Sequence, residues 1–206
     1  MDAGHDPHTY TSGRWLHRDK LERDSRYISF DFDALCRRAI ELCPGAVSIA
    51  TCDKKEGGFN RVFIFTTDNA KRVAAKLPFT PRLTTNSEVA TMKYCGFKPI
   101  HATVEWLLTI LRVIVQANTS IPIPQILDWS DDLNAIGSEY IIMEHAAGVQ
   151  LHQKWPIMSG EQQISCIDAI YRKAKEVVDM EFPAYGSLYF VDAPIESASE
   201  LPPSCL

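Results

Sequence analysis

The sequence predicts an α+β fold in which an antiparallel sheet carries helices, either as one domain of ordinary size or as part of a larger one. Three observations point there. Short runs of β-branched and aromatic residues alternate with turn clusters across 47–144. Apolar stripes at helical spacing flank those runs, with Leu35, Ala39 and Leu42 before them and Ile164, Ile167, Ala174, Val177 and Val178 after. A chain of 206 residues that is 46% apolar can bury one core.

In chain order, residues 1–13 are polar and are expected to be disordered or loosely docked. Trp15 and Leu16 are apolar anchors ahead of a charged run over 17–26, and Trp15 is expected to pin this segment. Asp31 or Asp33 can cap a helix over 34–42, with Arg37, Arg38 and Glu41 turned to water. Pro44-Gly45 stops it. Cys36 and Cys43 lie a heptad apart and are expected to share a buried face. A short strand over 47–52 leads into a glycine turn.

The centre of the chain is the stretch 56–76. Gly57-Gly58 opens a strand through Phe59, Asn60 and Phe65, Asp68-Asn69 marks a turn, and 73–77 returns antiparallel. Paired glycines let backbone amides approach a polyanion with no Cβ in the way. Lys76, leaving the second strand, can reach the same phosphates. A helix over 86–94, capped by Asn86 or Ser87, offers Glu88 as a partner for Lys76. Taken singly, the glycines read as a turn, the lysine as solvated and the glutamate as surface. In this order they make the upper half of a kinase-like nucleotide site.

Downstream, Gly96 to Pro99 should end that helix, yet a dense apolar run resumes over 104–116. It is shorter than the ~20 residues of a membrane span, and apolar residues on nearly every side imply either a fully buried helix or a misplaced segment. Ile121-Pro122-Ile123-Pro124 is extended, 125–129 is a strand, and 138–144 is its partner. Ser159 and Gln162 form a capping box for a helix reaching about Met180. Residues after 192 read as a loose tail.

A net charge of -5 argues against general nucleic-acid or anionic-membrane binding, which needs a basic face, and leaves room for a local basic cluster that holds a nucleotide. The six cysteines include no C-x-x-C pair, which argues against a zinc or redox centre and fits a reducing compartment. No metal site, transmembrane segment or signal peptide is expected. Two short motifs are set aside. His17-Arg18-Asp19 and Asp31-Phe32-Asp33 imitate a catalytic loop and a metal-binding D-F-G, but both precede the glycine turn.

Several segments carry a family likeness: 10–16, 56–63, 87–92, 121–124, 137–144, 148–151 and 182–188. Through them the chain resembles fungal aminoglycoside-phosphotransferase-like proteins of the protein-kinase-like superfamily, most closely the altered-inheritance-of-mitochondria subgroup. The resemblance implies a kinase-like N-terminal lobe with hinge over 31–147. An N-terminal extension over 1–30 would precede it, the first helices of an incomplete C-terminal lobe over 148–192 would follow, and 193–206 would be a tail. It implies ATP, with Mg²⁺ in the full family, and an unknown small-molecule or other acceptor. Gly57, Gly58, Phe59 and Asn60 would cover the phosphates, and Lys76 would contact them and pair with Glu88. Met143, Glu144, His145 and Ala146 would meet the adenine edge, with Trp129 and Ile142 packing nearby.

Two departures from the family go with it. Residues 96–109 look inserted, either as a genuine insertion or as translated intron. The expected aspartate base and Mg²⁺-binding aspartate are not found after Tyr185. The reading is therefore ATP-dependent phosphoryl transfer as the inherited activity, with this chain expected to be truncated and inactive. The alternatives are a non-catalytic nucleotide-binding or interaction module, or a truncated gene product without function. A cytoplasmic or mitochondrial location is expected, the latter from the resemblance alone.

Overall fold

Residues 60–67 and 72–78 alternate strictly between the inside and the edge of the protein, and this alternation sets the architecture. In the computed structural model, which describes residues 6–79, 84–95, 119–132, 134–182 and 186–190, these are β2 (Asn60–Thr67) and β3 (Arg72–Pro78). With β1 (Ile49–Glu56), β4 (Ile126–Ser130) and β5 (Tyr140–Glu144) they form one antiparallel sheet of order β1-β2-β3-β5-β4. This is the expected α+β class. β1 runs four residues further than expected, because it stays paired with β2 up to Glu56 opposite Arg61.

One face of the sheet is the core. Phe63, Phe65, Val73, Ala75, Leu77, Tyr140 and Ile142 pack with Leu35, Ala39 and Cys43 from α2 (Phe32–Glu41) and the turn after it. Asp31 caps α2 by accepting from the Ala34 amide at 2.8 Å, so its sequence likeness to a metal-binding motif reflects a capping role. Cys36 and Cys43 are both buried there as free thiols, and burial pushes the Cys36 thiol up to about 11. Arg38 departs from the expectation of a solvated side chain. Its Nε donates to Asp128 of β4 at 2.6 Å, and Asp128 also accepts from the Tyr140 hydroxyl at 2.8 Å.

The opposite face carries Val62, Ile64, Ala74, Lys76 and Ile141. Cross-strand partners Val62 with Lys76, and Lys76 with Ile141, keep them on one side. Over this side lies α3 (Thr84–Cys95). It begins two residues before the expected start. Asn86 therefore lies inside the helix rather than at its cap, and its side-chain Nδ2 donates to Asp131 Oδ2 at 2.9 Å while its Oδ1 accepts from the Phe190 amide at 3.4 Å.

The N-terminal segment departs most from expectation. Residues 6–9 are tied down rather than loose: Lys54 Nζ donates to the carbonyls of Asp6 and Thr9 at 2.8 Å each. Arg61 Nη1 donates to those of Pro7 and His8 at 2.9 and 2.8 Å. Tyr10 and Trp15 then pack ring against ring at a tilt of 48°, 4.7 Å between centroids, which gives Trp15 its anchoring role. A short helix, α1 (Asp19–Asp24), follows.

Beyond β5 come α4 (Leu151–Lys154), a 3-10 turn (Trp155–Ile157) and α5 (Gly160–Val178). The Ser159–Gln162 capping box is present with both reciprocal bonds. The apolar stripe of α5 is exposed, with Ile164 at 69% and Val178 at 80%. The expected apolar helix over 104–116, the insertion over 96–109 and the tail over 193–206 lie outside the described residues.

Candidate nucleotide site

Gly57-Gly58-Phe59 joins β1 to β2, and the turn is held by the Gly57 amide donating to the Asn60 carbonyl at 2.8 Å. It is also fastened to the end of β3, where the Phe79 amide donates to the Phe59 carbonyl at 2.9 Å. Gly57 is favoured by packing, since a Cβ there would lie 2.9 Å from Asn60 Oδ1 and 3.2 Å from its carbonyl oxygen. At Gly58 a Cβ would meet nothing within 4 Å, so that position is open toward whatever approaches the turn. Phe59 at the tip is 86% exposed.

Lys76 points from β3 toward α3, where its ammonium contacts both carboxylate oxygens of Glu88. The pair is only partly buried and stands at the wall of a cavity of about 390 Å³. That is at the small end of ligand sites, which span roughly 300–1,000 Å³. Of the residues singled out by sequence, Gly58, Phe59, Asn60, Lys76 and Glu88 line it together. Gly57 supports the turn from behind.

Met143, Glu144, His145 and Ala146 lie elsewhere, at the far end of β3 from the glycine turn. Val73 pairs with Glu144 at that end, while Pro78 pairs with Asn60 at the other. The Glu144 amide donates to the Gln125 carbonyl at 2.9 Å, and the His145 amide to that of Arg72 at 3.4 Å. Ile142 is fully buried on the α2 face, opposite Ala75, and so cannot pack against a ligand on the Lys76 side. Its neighbour Ile141 takes that place and lines the cavity. Trp129, paired with Ile141, stacks on Phe190 at 5.4 Å, with the Lys93 ammonium 5.8 Å from its ring.

Sequence reasoning missed Glu22, Ser25, Arg26, Phe79 and Thr85, all of which line the cavity. Thr85 is held by donating to Glu139 Oε2 at 2.7 Å, and burial pushes the Glu139 carboxyl up. For Arg26 and Glu22 a signal was available. Asp19 with Arg23 and Glu22 with Arg26 are opposite charges at i,i+4, a helix-stabilising pattern, and both pairs form. The pattern marks a helix but not what the helix covers. His17-Arg18-Asp19 has an ordinary structural use here, since Asp19 accepts from the Trp15 amide at 2.8 Å. The described residues bring together no set of three or more His, Cys, Asp or Glu side chains able to hold a metal. Nor do they include a helix long and apolar enough to cross a membrane.

No family model matches the chain. A subtelomeric hrmA-associated cluster protein of Aspergillus fumigatus is 32% identical over 155 residues, which is 72% of this chain and 25% of that protein. The mitochondrial altered inheritance of mitochondria protein 9 of Clavispora lusitaniae is 25% identical over 227 residues, covering 89% of this chain and 34% of the relative. Its counterpart from Yarrowia lipolytica is 24% identical over 208 residues, with 89% and 32% covered. The subgroup inferred from the sequence is therefore among the chain's relatives, and the chain spans a quarter to a third of their length. A solved structure from Ralstonia eutropha JMP134, named for the aminoglycoside phosphotransferases, is 17% identical with a TM-score of 0.39. It covers 59% of this chain and 29% of that one.

Proposed function

We propose that this chain forms the nucleotide-binding lobe of a kinase-like phosphotransferase, with ATP as the nucleotide. The observation that carries the reading is the Lys76–Glu88 contact in the wall of a cavity roofed by the Gly58–Asn60 turn. A carboxylate gripping an ammonium through both oxygens fixes it where its third proton can meet a phosphate oxygen. The open side of Gly58 lets the turn backbone come close to the same oxygens. Adenine would sit at the other end of β3. With the Glu144 and His145 amides already engaged, its edge would be met by the backbone from Ala146 onward.

Phosphoryl transfer to a small-molecule or other acceptor is the proposed activity of the protein as a whole. The chain's own part in it is to bind and orient the nucleotide. Magnesium would accompany the phosphates, and no ligand for it is assigned among the described residues. The names of the yeast relatives favour a mitochondrial location, which fractionation of the tagged protein tests.

The experiment is thermal unfolding with and without ATP. A ligand at about a hundred times its Kd adds about 2.7 kcal/mol. A rise in Tm that Lys76→Ala removes supports the reading, and no rise at millimolar ATP overturns it.

A further inference from the structure

We propose that Arg26, carried by the N-terminal segment, is a contact for the terminal phosphate of the bound nucleotide. This rests on the nucleotide reading above and adds a residue to the same site. The direction of the ligand follows from the sheet. β3 runs from Val73, beside the hinge residue Glu144, to Pro78, beside Asn60 of the glycine turn. Those five steps span ~17 Å at ~3.4 Å per residue. A base at the hinge end therefore sends its phosphates past Lys76 toward Asn60, Phe79 and Thr85. Arg26 lines the cavity at that end.

Its side chain is prepared for an anion. The guanidinium lies 4.5 Å from the Trp15 ring centroid and 5.9 Å from that of Phe79, so its plane is held by aromatic faces. A planar fork of donors suits phosphate better than a flexible ammonium does. Nη1 donates at 2.8 Å to Glu22 Oε2, a carboxylate that a phosphate could displace because it is 38% exposed.

The whole segment is anchored from below. Arg61 is fully buried and holds the carbonyls of Pro7, His8 and Arg26 itself, the last at 3.3 Å. Arg61 also directly follows Asn60 of the glycine turn. Arg26 is thus fixed through its own backbone to the strand that carries the phosphate-covering turn, and Arg61 acts as its positioning residue.

Two substitutions with opposite effects test this, with ATP and AMP titrated calorimetrically into the full chain. Arg26→Gln should weaken ATP about tenfold, the scale of one charge-assisted contact, and leave AMP unchanged. Glu22→Gln, which frees Arg26 from its competing carboxylate, should tighten ATP relative to AMP. It provides the test even if Arg26→Gln does not fold. Equal effects on ATP and AMP, or none, would overturn the assignment while leaving the nucleotide site in place. A wild-type chain that binds neither nucleotide would remove the site itself.

Discussion

Arg61 and Glu56 form a fork inside the domain: Arg61 Nε lies 3.0 and 3.1 Å from the two Glu56 oxygens, and neither side chain is more than 2% exposed. They face each other across the first β1–β2 pair, so the hairpin closes on a buried ion pair. Lys54 joins at 3.4 Å, and desolvation lowers its ammonium below the usual lysine range. Removing Arg61 takes the fork from a buried carboxylate and leaves Glu56 only the Lys54 ammonium at 3.4 Å. Arg61→Met should therefore destabilise the chain by about 3–5 kcal/mol in urea unfolding. It should also raise amide exchange over 6–13, since the Pro7 and His8 carbonyls lose their donor. Unchanged exchange there would show that the segment is held by Lys54 and the Tyr10–Trp15 contact instead.

Lys76 and Glu88 are a different kind of pair. Both are partly open to solvent, so their mutual attraction adds at most about 1 kcal/mol to stability. Glu88→Gln should move the urea midpoint little. It should nevertheless weaken ATP, because the ammonium loses the partner that fixes it. A large stability loss with unaltered ATP binding would make the pair a structural strut.

How much of this could be read in the sequence depended on the separation of the groups involved. The Asp31 cap, the Ser159–Gln162 box and the glycine turn are local, and their residues act on neighbours within four positions. The choice between Ile141 and Ile142 needed the register of β5 against β3, because a shift of one residue exchanges the two faces. Arg61 was unreadable for a further reason. Its partners Pro7, His8 and Arg26 lie 35 to 54 residues away and offer only carbonyl oxygens, which no side-chain pattern reports. The stripe on α5 was legible as a pattern, but whether it is covered depends on what packs against it.

Acid should loosen the join between α2 and the β4–β5 edge. Burial raises the Asp128 carboxyl, but the bonds from Arg38 and Tyr140 outweigh it and hold the group below its ordinary value. A carboxylate depressed in the folded state contributes stability that is present above its unfolded value, about 3.9, and is lost as pH falls through the folded one. Asp128→Asn should lower stability at neutral pH and flatten the fall in Tm below about pH 4. The same partner pushes the Tyr140 phenol, already raised by burial, to about 12, so it stays a donor throughout this range.

The stripe on α5 makes a prediction about association. Ile164, Ile167, Tyr171 and Val178 are 69%, 55%, 63% and 80% exposed, a contiguous apolar surface of the kind that drives self-association. Ile164→Lys with Ile167→Lys should raise the monomer fraction in sedimentation at a given concentration. Exposed substitutions of this kind stay within about 0.5 kcal/mol in unfolding. A loss of several kcal/mol would mean that the stripe is buried in solution.

The two glycines of the turn should separate folding from binding. At Gly57 a new methyl group meets Asn60 at both its side chain and its carbonyl, and the carbonyl closes the turn through the Gly57 amide. The side chain can swing away, but the backbone oxygen, at 3.2 Å, must yield by a few tenths of an ångström against the bond that closes the turn. Gly57→Ala should therefore cost about 1–3 kcal/mol in urea unfolding. At Gly58 the same methyl meets nothing within 4 Å, so Gly58→Ala should leave the unfolding midpoint in place. If the turn covers phosphates, that methyl stands between the backbone and the ligand, and ATP should bind more weakly with the fold intact. Gly58→Ala binding ATP as the wild type does would place the phosphates away from the turn, against Lys76 alone.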